Sequence, residues 1–175
     1  MNYFITGATG FIGRRLVRRI LERRGAVVYF LVRDASPQKL APLYEAWGVD
    51  QSRAIPLVGD ISQPGLGLRA ADRKRLEGKV RHLFHLAAVY DLNADAQAQV
   101  EVNIEGTRHV VAFAGTIGAG CLHHISSIAA AGLYEGVFRE DMFEEAENLD
   151  HPYFATKHES EKIVQIGRAS CRERG

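Results

Sequence analysis

The sequence predicts an α/β fold: a doubly wound parallel sheet, cut short after about five strands. Short apolar, β-prone runs alternate with helical stretches along most of the 175 residues. The chain opens on a strand, a glycine-rich turn and an amphipathic helix. Small or polar residues, namely Gly7, Arg33, Asp60, Ala87 and Ser127, stand just past the carboxyl end of each predicted strand. In an open parallel sheet that rim is where ligands bind.

Asn2-Tyr3-Phe4-Ile5 reads as a buried first strand, and Phe11, Ile12, Leu16, Val17, Ile20 and Leu21 recur at helical spacing after it. Between them lies Thr6-Gly7-Ala8-Thr9-Gly10-Phe11-Ile12-Gly13, in the strand–turn–helix setting that a dinucleotide-binding glycine motif requires. Gly7 allows the tight turn, Gly10 lets the backbone approach a pyrophosphate, and Gly13 lets the helix pack close to the strand. The free N–H groups and positive dipole end of the helix meet the phosphates. The paired arginines Arg14-Arg15, Arg18-Arg19 and Arg23-Arg24 read as the solvated face of this helix, with Arg14 alone close to the phosphates.

Gly25 ends the helix, and Ala26 to Val32 is a second buried strand. Arg33 follows, where an acidic residue would bind the adenosine ribose of NAD. An arginine there accepts a 2′-phosphate through its planar fork of donors, or is simply a surface residue, and the adjacent Asp34 leaves both open. The reading favours NADP over NAD. A helix from Pro37 to about Trp47 and a third strand, Ala54 to Val58, come next. Asp60 then bonds adenine's amino group or caps the following turn. A charged helix from Leu68 to Gly78 precedes strand four, Val80 to Leu86, and Ala87-Ala88 lets a cofactor lie against the backbone. A long helix is expected over Asp95–Ile117, with Asn103 a poor helix former inside it. Strand five, Cys121 to Ile125, leads to Ser126-Ser127. His123 and His124 face opposite sides of that strand and read as structural, with no cysteine or carboxylate at ligand spacing, so no metal site is expected. Residues 135–150 read as an acidic, solvated loop. Asp150 and Pro152 look like the N-cap and first-turn proline of a last helix to about Gln165, which places Tyr153 and Lys157 on one face.

A hydrophobic fraction of 46%, a charged fraction of 25% and a net charge of +1 fit a soluble globular domain and give no reason to expect nucleic acid. No apolar run approaches the roughly 20 residues of a transmembrane helix. Two cysteines make neither a disulfide framework nor a metal cluster, and a strand at Asn2 leaves no room for a leader, so a cytoplasmic location is the expectation.

Thr6 to Gly13, Gly59-Asp60-Ile61, Leu86-Ala87-Ala88, Ser126-Ser127 and Tyr153-x-x-x-Lys157 together resemble the extended short-chain dehydrogenase/reductase family, over residues 1 to about 165. The runs His85 to Asp91, Asn103 to Thr107, His123 to Leu133 and Phe138 to Ala146 are similar to the N-terminal domain of bacterial two-domain fatty acyl-CoA reductases. The resemblance implies an incomplete Rossmann-type domain and NADPH-dependent reduction of a fatty aldehyde or fatty acyl thioester. Its cofactor would be lined by Gly7, Thr9, Gly10, Phe11, Ile12, Gly13, Arg14, Arg33, Asp60, Ile61, Ala87, Ala88, Tyr153 and Lys157. It also implies a catalytic set in which Tyr153 donates a proton, Lys157 lowers the phenol's pKa and bonds the nicotinamide ribose, Ser127 holds the substrate oxygen, and Asn103 helps build a proton relay. A sugar-nucleotide epimerase, a hydroxysteroid-type dehydrogenase and a non-catalytic NADP-binding protein share the same cofactor half. A lipid-like small molecule is the expected partner, and a homo-oligomer stays open. Residues 166–175 fit nothing before them, and Ile166 to Arg174 can be encoded by a run resembling a sequencing-adapter read. A foreign tail is expected there, or else a natural disordered one.

Overall fold

In the computed structural model residues 1–172 are described, with side chains up to Gly167. Strands β1 (Asn2–Thr6), β2 (Val27–Val32), β3 (Ala54–Val58), β4 (Val80–His85) and β5 (Cys121–His124) form one sheet in the order β3-β2-β1-β4-β5. Every neighbouring pair is parallel. The strand order reverses beside β1, and a crevice opens at the carboxyl ends of β1 and β4.

Helices α1 (Phe11–Leu21) and α2 (Pro37–Trp47) cover one face, burying Val17, Ile20, Leu40 and Trp47 against Ile5, Val28 and Phe30. Helix α3 (Ala70–Leu76) and helix α5 (Gly106–Thr116) cover the other, where Leu76, Val110 and Phe113 meet Phe4, Leu31 and Leu83. Helix α6 (Pro152–Arg172) packs on α5. The arginines of α1 are exposed, as a solvated face requires, and Arg15 lies 3.8 Å from the centroid of the Phe11 ring.

Three elements differ from expectation. The helix expected over Asp95–Ile117 is not regular: α4 (Ala96–Gln99) passes through a π segment, Val100–Glu105, before α5 begins. Helix α6 starts without Asp150 as its cap, since His151 Nδ1 accepts the Tyr153 N–H at 3.1 Å instead. It also continues beyond Gln165 to Arg172. The expected foreign tail therefore begins on this helix, and from Arg168 its side chains lie outside the described residues. Residues 135–150 form the expected irregular acidic segment, tied back where Leu133 N–H donates to the Glu147 carbonyl at 2.8 Å.

Two glycines set how closely the first layers approach. Gly7 adopts φ +74, and a Cβ there would stand 2.6 Å from the Ala87 nitrogen. A Cβ on Gly13 would overlap the Gly7 carbonyl oxygen, which is backbone and cannot rotate away. Gly13→Ala is therefore expected to lower unfolding free energy by about 1–3 kcal/mol, the usual cost of overpacking. A denaturant titration with unchanged midpoint would show that α1 can slide off β1 freely.

Candidate active site

The crevice at the strand ends is a cleft of about 1300 Å³. Its wall carries the glycine turn, Arg33, Asp60, Ile61, Ala87, Ala88, Ser127, Tyr153 and Lys157, so the expected rim residues do converge on one site. Gln38 and Lys39 of α2 also reach it, and sequence spacing offered no signal for them.

The glycine turn closes by a 3.1 Å bond from the Gly10 N–H to the Gly7 carbonyl. No side chain caps α1, which leaves its first N–H groups to a ligand, with Phe11 and Ile12 exposed at its start. Arg14 folds back over the turn, Nε donating to the Thr9 carbonyl at 2.7 Å. The close packing that Gly7 and Gly13 allow holds the uncapped start of α1 at the cleft, and these residues fit the pyrophosphate of a dinucleotide.

At the β2 end, Asp34 is turned away towards α2. It pairs with Lys39 Nζ at 2.8 Å and accepts the Ser36 N–H at 2.8 Å, and the Lys39 bond chiefly holds its carboxyl below the usual range. Arg33 makes no ion pair among the described residues. Asp60 does cap the next turn, accepting the Ser62 N–H at 2.9 Å, while still facing the cleft.

Behind the cleft runs a buried chain of hydrogen bonds that sequence reading missed. The Ala87 N–H donates to Thr6 Oγ1 (3.3 Å), Thr6 Oγ1 lies 2.7 Å from His85 Nδ1, His85 Nε2 lies 3.0 Å from Thr107 Oγ1, and Thr107 Oγ1 donates to the Asn103 carbonyl (2.7 Å). The two ends assign the tautomer. Thr107 spends its proton on a carbonyl, so it accepts from His85 Nε2–H, and Nδ1 accepts from Thr6. Burial, reinforced by His124 and Lys157, pushes His85 down to about 3, so it is neutral at pH 7.

The π segment places Asn103 where its amide can close a ring on the backbone of the loop after β4. Oδ1 accepts the Val89 N–H at 2.8 Å, and Nδ2 donates to the Val89 carbonyl at 3.0 Å and to Thr156 Oγ1 at 3.2 Å. Thr156 in turn donates to the Tyr153 carbonyl at 3.1 Å. The asparagine side chain thus ties the loop after β4 to α6.

Ser127 opens a 3₁₀ turn, Ile128–Ala131, and accepts the Ala129 N–H at 3.2 Å. Ser126 has a different partner, donating to Glu161 Oε2 at 2.8 Å. The Tyr153 phenol has no hydrogen-bond partner among the described residues. Lys157 is buried, donates to the Ile125 carbonyl at 3.3 Å, and has its ammonium pushed down by burial while Glu161 pulls the other way. His123 and His124 do face opposite sides of β5. His124 turns towards Lys157, both its nitrogens buried without a partner, and burial together with Lys157 pushes it down to about 4. On the other face Cys121 and His82 come together with His123, against the expectation that no cysteine stands at ligand spacing.

Residues 5–172 match the family described as male sterility protein, an NAD-binding domain. The chain belongs to this family of extended short-chain dehydrogenase/reductase domains. It is 33% identical to one of the linear gramicidin synthase subunits of Brevibacillus parabrevis, over 94% of this chain and 4% of that protein. It is 32% identical to a putative fatty acyl-CoA reductase of Drosophila melanogaster, over 72% of this chain and 28% of the other. Among solved structures it is similar to the terminal R domain of the myxalamid PKS-NRPS biosynthetic pathway, with TM-score 0.80, 26% identity, and coverage of 95% of this chain and 45% of that one. The chain spans less than half the length of each of these relatives.

His85 and His124 give the fold a pH dependence. Both take up protons in the unfolded chain near the ordinary value of 6.5 but resist them when folded until about 3 and 4. Below 6.5 the unfolded state therefore binds more protons, and stability falls as pH drops towards 4. Urea midpoints measured between pH 7 and 4.5 are expected to decline, and His124→Phe should flatten that decline. An unaltered slope in the variant would remove His124 from the account.

Proposed function

We propose that this domain binds NADPH and reduces the carbonyl carbon of a fatty aldehyde or fatty acyl thioester. The observation that carries the reading is that Ser127, Tyr153 and Lys157 share one cleft with the glycine turn and Arg33. When bound there, the reduced nicotinamide supplies the hydride.

The chain's own residues then have separable tasks. Tyr153 passes its phenolic proton to the substrate oxygen as charge develops on it. Lys157 stands one helical turn on, and its positive charge favours the phenolate. Burial makes the ammonium a readier proton donor than an exposed lysine, so it can reload the phenol. Ser127 binds the substrate oxygen, a role open to it because Ser126 is committed to Glu161. Asn103 supports the relay by position, holding Val89 and Thr156 and through them the Tyr153 turn.

NADPH over NADH is supported by the partnering of Asp34. With that carboxylate paired to Lys39, the charged groups left at this end of the cleft are Arg33 and Arg14, two cations suited to a 2′-phosphate. An apolar substrate is supported by exposed Tyr90, Ile128, Leu133 and Val137, and by the fatty acyl-CoA reductases among the relatives. We read residues 1–165 as the cofactor-binding domain and 166–175 as foreign to it.

Titrating the chain with each nucleotide, followed by calorimetry or by Trp47 fluorescence, tests the cofactor half. Trp47 Nε1 donates to the Arg14 carbonyl at 3.1 Å, so it reports on the phosphate helix. NADPH is expected to bind more tightly than NADH, and Arg33→Asp to cost about 1.5–3 kcal/mol of NADPH binding, the worth of a hydrogen bond to a charged group. An unchanged NADPH-to-NADH ratio in that variant would end the NADP assignment. In a chain joined to a substrate lobe, Tyr153→Phe is expected to cut turnover at least about 100-fold while NADPH affinity holds, as loss of a general acid does. Turnover near the parent's would take Tyr153 out of the acid role.

A further inference from the structure

On the face of the sheet opposite Lys157, His82 of β4 pairs in register with Cys121 of β5. His123 lies two residues along β5 and therefore on the same face as Cys121. His82 Nδ1 and His123 Nε2 are 3.0 Å apart, and these two nitrogens and Cys121 Sγ all lie within 4.8 Å of one another. Both rings are held flat by stacking: Tyr3 on His82 with centroids 5.6 Å apart, and Phe84 on His123 with centroids 4.3 Å apart. Cys121 is exposed, so an ion can reach the group from solvent.

We propose that His82, Cys121 and His123 form a binding site for one borderline-soft divalent transition metal, with Zn²⁺ the best match. Two imidazoles and one thiolate are the donor set such an ion selects, leaving a fourth position for water. Tetrahedral zinc with its usual bond lengths separates two nitrogens by about 3.3 Å and a nitrogen from sulfur by about 3.6 Å. The nitrogens are already close to that spacing, and the exposed cysteine has only to turn inwards about its side-chain bond.

The proton balance is simple for neutral histidines. The proton between His82 Nδ1 and His123 Nε2 moves to an outward nitrogen, so that both rings offer lone pairs. The thiol loses its proton to solvent, and binding releases one proton overall. None of the three residues lines the nucleotide cleft. The ion would cross-link β4 to β5 away from the site of chemistry, and the fate of this proposal is independent of the nucleotide reading.

The test is a titration of the reduced, untagged chain with Co²⁺, followed by displacement with Zn²⁺. Expected are tetrahedral d–d bands, a thiolate-to-cobalt charge-transfer band saturating at one ion per chain, and a rise in melting temperature with Zn²⁺. Cys121→Ser removes the charge-transfer band. Because Cys121 is exposed the variant should fold, and the second thiol, Cys171, is retained in it. His82→Gln lowers Zn²⁺ affinity by more than the roughly 10–100-fold that outer-shell changes cost. A charge-transfer band that survives in Cys121→Ser, no band in the parent chain, or equal Zn²⁺ affinity in the parent and both folded variants would each overturn the site and leave an aromatic–histidine ladder.

Discussion

The buried hydrogen-bond chain from Ala87 through Thr6, His85 and Thr107 to Asn103 is the constraint on which the site's geometry depends. It starts just past β4, crosses to Thr6 on the strand that carries the glycine turn, and returns through His85 of β4 to the helix layer. It ends on the π segment whose asparagine grips both the loop after β4 and the helix of Tyr153. A neutral imidazole is the one side chain that can accept on one nitrogen and donate from the other, so it transmits direction along the chain. Every side chain in it is buried, where an unmet donor or acceptor costs about 1–3 kcal/mol. That cost, more than the modest net gain of each bond, keeps the glycine-turn side and the Tyr153 side of the cleft in register.

Steric exclusion works alongside it. The glycine turn lies so close to Ala87 and to the start of α1 that no side chain fits at Gly7 or Gly13. The uncapped helix end is thereby held over the crevice, and no side chain among the described residues caps it. Open to solvent, its first N–H groups are met by water until an anion displaces it.

The features legible in the sequence were those written in local pattern. Glycine spacing between an apolar run and an amphipathic one gave the turn, and the break between each strand and its next helix gave the rim residues. What escaped was set by pairing between segments. His85 looks like one more residue of strand four until β1 and α5 bring Thr6 and Thr107 to its two nitrogens. Cys121 and His123 read as unrelated until the β4 register supplies His82. The direction in which Asp34 turns was not legible locally either, because the lysine that pairs with it lies on the following helix. The π segment was hidden for another reason: Val100–Glu105 is apolar enough for an ordinary helix, and only Asn103's partners demand the wider turn.

The inner wall beside Tyr153 shows how these pieces combine electrostatically. A buried ammonium is expensive, and Lys157 meets that cost with Glu161 and the Ile125 carbonyl. Its charge in turn makes further positive charge nearby unfavourable, which is part of why His85 and His124 resist protonation. At neutral pH the two imidazoles beside Lys157 are therefore uncharged. Protonating either imidazole would set a second positive charge beside a buried ammonium, so both stay neutral until the pH falls far enough to loosen the fold around them.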